Sequence, residues 1–70
     1  MILKAGDLKK SSDTASSVYW RGRHGHLLTW NRVSNWVSLQ TPDGEWYQLE
    51  PAATAVEAKQ RYVNFQESDQ

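Results

Sequence analysis

The chain contains no cysteine. That excludes disulfide staples, thiolate nucleophiles and cysteine-based zinc sites, and it fits a reducing compartment. No run approaches the ~20 consecutive apolar residues that cross a bilayer. The opening, MILKAGDLKK, has only a short apolar start before charge arrives. It lacks the apolar middle region and small-residue cleavage site of a secretion signal. These absences predict a soluble, cytoplasmic protein with no membrane partner. Net charge is missing too: eight basic side chains balance eight acidic ones. A neutral total argues against a strong generic nucleic-acid binder and against an acidic mimic of DNA.

What the chain does have is aromatic mass. Four tryptophans, three tyrosines and one phenylalanine sit among 70 residues. A chain of this length forms one domain, residues 1–70, and buries only about 60% of its unfolded surface. Its core must therefore draw on those rings. The charges, though balanced, are segregated. Residues 1–34 hold Lys4, Lys9, Lys10, Arg21, Arg23 and Arg32 against Asp7 and Asp13, and residues 35–70 hold the reverse excess. A fold that keeps the halves apart would be dipolar.

Along the chain, ILKAGDL suggests a short edge strand with Gly6 and Asp7 starting a turn. SSDTASS, residues 11–17, is small and polar and predicts a loop. VYWR at 18–21 is β-branched and aromatic, hence strand-like, and HLLTWN at 26–31 and NWVSLQT at 35–41 predict two more strands. Between the last of these and the next strand lies the clearest local signal, Thr41-Pro42-Asp43-Gly44-Glu45. Proline presets the first turn angle and Gly44 supplies the left-handed one, as in a type I turn closed by a bulge. This turn sets Leu39 opposite Tyr47 and Val37 opposite Leu49, with Trp36 and Trp46 on the other face; a slip of one residue would reverse that.

From Pro51 onward the period changes to helical. Pro51 suits a first helical position, and Thr54 with Glu57 three residues later forms a capping-box pattern, so the helix has two possible starts. Ala52, Ala55, Val56, Ala58, Tyr62 and Val63 share one apolar arc, with Phe65 at its edge. Glu57, Gln60, Arg61 and Asn64 lie opposite, and Lys59 falls inside the arc, where its stem is expected to snorkel. Residues 67–70 are expected to fray. The predicted fold class is α+β, a small antiparallel sheet of three or four strands with one C-terminal helix packed over Val37, Leu39, Tyr47 and Leu49. The opposite face would hold Trp36, Trp46 and one of Trp20 or Trp30. The alternative is a small β-barrel plus terminal helix, with the N-terminal segment, through Ile2, Leu3 and Leu8, folded over the tryptophans as a second core.

Several constellations invite a functional reading. WRGRHGHLLTWNR, residues 20–32, interleaves Trp20 and Trp30 with Arg21, Arg23 and Arg32 and contains no acid. Such a mixture can stack bases and hold phosphates, although an ordinary solvated loop whose cations balance the acidic half is the simpler explanation. Arg21 and Arg23 bracket Gly22, which lets backbone approach a ligand. Gly22-Arg23-His24-Gly25 matches the GxxG loop of KH-type RNA-binding domains, but that loop joins helices and these flanks look like strands. His24 and His26 would share a strand face, yet a metal needs a third ligand and surface histidines beside a turn are the simpler reading. They could still make binding pH-sensitive near neutrality. No nucleophile, base and oxyanion site converge, Asp43 is explained by its turn and Glu57 by its cap, so neither an enzyme nor a cofactor is expected.

YWRG at 19–22, the PDG hairpin and T-x-x-E-A-x-x-x-Y at 54–62 together resemble the layout of plant ethylene-response-type DNA-binding domains and of the arm-binding domains of tyrosine integrases. That resemblance implies a three-stranded sheet seated in the major groove with a helix behind it. The strands after residue 32 carry no cation, unlike such readers. The expected function is a small non-enzymatic binding protein, an adaptor or inhibitor of the kind that includes phage-encoded inhibitors of host systems. It would dock on a larger protein partner with Trp36 and Trp46 as anchors and Arg21, Arg23 and Arg32 as a charged rim. The alternatives are nucleic-acid binding by the same face, with Trp20 or Trp30 stacking, and a homo-oligomer that buries it.

Overall fold

The computed structural model describes residues 3–65. It is an α+β domain: a short 3-10 turn at Ala5–Asp7, then strands β1 (Lys9–Asp13), β2 (Ser17–Arg21), β3 (Leu27–Asn31), β4 (Val37–Gln40) and β5 (Trp46–Leu49), and helix α1 (Ala55–Asn64). All neighbours are antiparallel, and the order in space is the order in sequence, β1-β2-β3-β4-β5. The sheet is open, so the barrel alternative is not adopted.

The strand count exceeds the expected three or four because β1 extends through residues 11–13 of the stretch read as a loop. Ser12 and Asp13 pair with β2 while Ser11 lies at the register shift, residues 14–16 are left as the connection, and the turn at Ala5–Asp7 stands where an edge strand was expected. The reason is physical. Every residue of β1 is exposed, so no alternation of apolar and polar residues marks it. Its pairing is supplied by the ladder to β2, interrupted by a register shift between Lys10 and Ser12.

The hairpin forms as predicted. Thr41 N–H donates to the Glu45 carbonyl at 2.8 Å, Gly44 N–H donates to the Thr41 carbonyl at 2.9 Å, and Gly44 has φ of 94°. Val37 faces Leu49 and Leu39 faces Tyr47. The β2–β3 connection repeats the device: Gly22 N–H donates to the His26 carbonyl, Gly25 N–H to the Gly22 carbonyl, and Gly25 has φ of 97°. The two loops touch, since a Cβ on Gly25 would lie 3.2 Å from Pro42.

Of the two helix starts, the chain uses Thr54. Its hydroxyl accepts the Glu57 N–H at 3.2 Å, and the Glu57 carboxylate accepts the Ala53 N–H at 2.9 Å. Pro51 instead belongs to a strap between β5 and α1. Its carbonyl accepts both Arg61 Nε and Nη2, so Arg61 is a tie to the strap rather than a purely solvated side chain. Ala52 N–H donates to the Asn35 carbonyl, and Trp30 Nε1 donates to the Ala52 carbonyl at 2.8 Å within the core.

Val18, Trp20, Leu28, Trp30, Val37 and Leu39 of the sheet form one core with Leu3, Leu8, Ala52, Ala58 and Tyr62. Leu3 and Leu8 thus join the helix side rather than fold over the opposite face. Two helix-side expectations need correction. Val56 lies outside the buried arc and is exposed, and Tyr47 on the edge strand remains 42% exposed, its ring meeting Phe65 at 5.2 Å. The helix lies against β3, β4 and the N-terminal turn, which leaves β5 only partly covered. The expectation that residues 67–70 fray falls outside the described residues.

Candidate functional site: the open sheet face

Alternation along five strands decides what the helix-free face presents. Because Val18, Trp20, Leu28, Trp30, Val37 and Leu39 are buried, their neighbours Tyr19, Arg21, Leu27, Thr29, Ser38 and Gln40 point the other way. Read across the ladder, one row is Lys9, Arg21, Leu27, Gln40 and Trp46. The next is Tyr19, Thr29, Ser38 and Gln48. Trp36 closes the third, its carbonyl accepting the Asn31 N–H. Trp36 and Trp46 are 55% and 54% exposed. Four residues of strand rise and one strand spacing separate them, roughly 14 Å. Between the two indoles lies a neutral, polar floor of hydroxyl and amide side chains.

The expectation that Trp36 and Trp46 face away from the helix holds. The expectation that one of Trp20 or Trp30 joins them does not: both are on the helix side, 2% and 7% exposed. Their even-numbered alternation with Val18 and Leu28 makes them core. Lys59 reaches over the Trp20 ring at 5.8 Å and Arg32 over the Trp30 ring at 5.9 Å, so each indole meets a cation from this same chain. Neither indole is available to stack a base.

The arginines also separate. Arg32 Nη2 donates to Asp13 at 2.7 Å and Nη1 to the Thr14 carbonyl at 3.2 Å, and its own N–H donates to the Ser16 carbonyl. It closes the β1–β2 turn instead of forming a rim. Lys10 donates to the same Asp13 at 2.9 Å. That hydrogen bond, with the nearby charges of Arg32 and Lys10, holds the Asp13 carboxyl below the usual carboxylate range. Arg21 stays on the open face beside Lys9. Arg23 extends from the β2–β3 loop, 3.9 Å from Asp7.

His26 is not a surface residue. It is 1% exposed and meets the Tyr62 ring edge-on at 5.8 Å, whereas His24 is exposed in the loop. The two do not form a chelating pair, and no cluster of three His, Asp or Glu side chains is placed to hold a metal among the described residues. Gly22 serves packing: a Cβ there would lie 2.7 Å from the Tyr62 hydroxyl. Since the Gly22–Gly25 loop joins two strands, the KH-type reading is removed.

Sequence reasoning missed Tyr19, Leu27 and Lys9 as members of the open face. Tyr19 and Leu27 were within reach of strand alternation next to Trp20 and Leu28. Lys9 was not, because β1 carries no periodicity. Comparison with protein families, with curated proteins and with solved structures finds no match for this chain.

Proposed function

We propose that this is a small non-enzymatic binding protein that docks on a larger protein partner through the open sheet face. The observation that carries the reading is the placement of Trp36 and Trp46. A 70-residue chain short of apolar material leaves two of its four indoles half-exposed on a face that no described element covers. Tryptophan is the side chain most enriched at interface hot spots, where an apolar anchor is ringed by polar groups that exclude water. Here the polar ring is Thr29, Ser38, Gln40 and Gln48, with Arg21 and Lys9 at one corner. The partner is accordingly a surface with an apolar recess for each indole and an acidic margin facing that corner. An adaptor or an inhibitor acting in the cytoplasm fits this chemistry, and no described helix is long and apolar enough to cross a membrane.

The nucleic-acid alternative keeps the same face but loses Trp20, Trp30 and Arg32, which the core and the β1–β2 turn occupy. The test is a photoreactive side chain at Gln48, in the centre of the face, compared with one at exposed Val56 on the helix, in the protein's native host extract. The expected result is one discrete protein adduct from position 48, none from 56, and loss of that adduct in Trp46→Ala with the melting temperature unchanged. Unfolding of Trp46→Ala would place Trp46 in the core and end the reading. Salt-sensitive quenching of tryptophan emission by single-stranded oligonucleotides would transfer the face to nucleic acid. An adduct of the chain with itself would transfer it to a second copy.

A further inference from the structure

Lys9 and Arg21 are direct cross-strand partners. Two like charges placed opposite one another in an antiparallel pair are destabilising. Nothing nearby offsets them: Asp13 is taken by Lys10 and Arg32, and Asp7 stands beside Arg23, so no carboxylate lies within ion-pair distance of Lys9 or Arg21 among the described residues. Yet the sequence has as many acids as bases, so composition did not force this arrangement.

The same two side chains line an open cleft of about 610 Å³ between the Gly6–Asp7 turn, β1 and the start of the β2–β3 loop. Lys10 and Arg23 line it as well, but Lys10 is bonded to Asp13 and Arg23 stands 3.9 Å from Asp7, so the charge left without a counter-ion there is that of Lys9 and Arg21. The volume of the cleft falls within the roughly 300–1,000 Å³ typical of small-molecule sites.

We propose that this cleft is an anion site for a small ligand carrying adjacent phosphoryl groups. Lys9 and Arg21 face one another across β1 and β2, and Arg23 lies on the adjoining loop, so an ammonium and two guanidinium forks border the cleft. Such donors match the multiple oxygens of linked phosphoryl groups better than the single plane of one carboxylate. A bound oligophosphate would sit between Lys9 and Arg21 and turn their repulsion into two attractions. The site shares Lys9 and Arg21 with the corner of the docking face, but it does not rest on the docking reading, since it is tested on the isolated protein. The competing explanation is that Lys9 and Lys10 only guard a sheet edge against pairing with another chain.

The test is thermal unfolding of the full chain in tripolyphosphate, against sodium chloride and citrate at matched ionic strength, for wild type and Arg21→Gln. A one-site ligand at ten times its dissociation constant raises the melting temperature of a domain this size by about 5–10 °C. The expected result is such a rise in wild type with tripolyphosphate alone. Arg21→Gln should melt slightly higher than wild type at low salt and lose the tripolyphosphate response. Amide shifts during the titration should saturate at Gly6, Lys9, Arg21 and Gly22. Equal stabilisation by sodium chloride would leave only edge protection and overturn the site. Equal stabilisation by citrate would overturn the phosphoryl assignment, and a response kept in Arg21→Gln would place the effect elsewhere.

Discussion

At the scale of single residues, several positions are fixed by what surrounds them. Gly22 is held to glycine by Tyr62, whose hydroxyl occupies the space of a Cβ. Tyr62 is fully buried beneath the helix and cannot swing into solvent. Gly22→Ala is therefore expected to cost about 1–3 kcal/mol through overpacking, read by denaturant unfolding. Asn35 is the one described non-glycine residue with positive φ, at 66°. It follows the Asn31 side chain, which accepts the Val33 and Ser34 N–H groups and so shapes the β3–β4 loop. Asn35→Gly should leave stability near the starting value, whereas Asn35→Ala should lose about 1 kcal/mol, because only the alanine meets the Cβ penalty of the left-handed region. Equal losses in both variants would show that the Asn35 side chain, not its backbone, matters. Trp30→Phe keeps most of the ring but removes the bond to the buried Ala52 carbonyl. It should cost about 1–3 kcal/mol, and urea titration would measure it.

At the scale of elements, the helix depends on its cap and the edge strand on its turn. Thr54 satisfies a first-turn N–H of a ten-residue helix. Thr54→Ala should destabilise by about 1 kcal/mol and Thr54→Ser by little, since the serine hydroxyl can accept the same bond. The β1–β2 turn is closed by Lys10, Asp13 and Arg32. Because folding lowers the Asp13 pKa, the stability it contributes is present above the unfolded-state carboxylate value. It is lost as pH falls through the lower folded value. The Asp13 side-chain resonance should therefore titrate below the usual carboxylate range. Protection of the Arg32 amide, bonded to the Ser16 carbonyl, should fall over the same acid interval in wild type and show no such step in Asp13→Asn.

At the scale of the whole molecule, the meander carries the sequence's charge asymmetry into space. Since the strands lie in sequence order, the basic first half becomes the β1 side of the sheet, with Lys9, Lys10, Arg21 and Arg23. Asp43, Glu45 and Glu50 lie in and around the β4–β5 hairpin at the far side. A neutral protein is thus polarised across its width, and its docking should be oriented by that field. Association with a charged partner surface should slow as ionic strength rises while dissociation changes little, which stopped-flow binding would separate. The open topology also places β1 and β5 at the two edges of the sheet. The exposed lysines of β1 disfavour edge-to-edge pairing on that side.

The sequence by itself determined the local features that short-range chemistry controls. The Pro42-Asp43-Gly44 turn set the β4–β5 register, and that register put Trp36 and Trp46 on the helix-free face. Thr54 and Glu57 marked one of two helix starts, and the tertiary strap chose it by using Pro51 and Ala52 as hydrogen-bonding backbone. Other features were decided only by tertiary structure. The strand β1 exists because β2 offers a ladder, and polar residues without periodicity carry no sign of it. Trp20 and Trp30 became core once β2 and β3 were placed between β1 and β4, since indole chemistry suits a core and an interface equally. His26 went inside because Tyr62 arrives from a helix 36 residues later, as their edge-on contact shows. The facing of Lys9 and Arg21, and with it the cationic cleft, comes from pairing residues a dozen positions apart in a register that no local turn signal encodes.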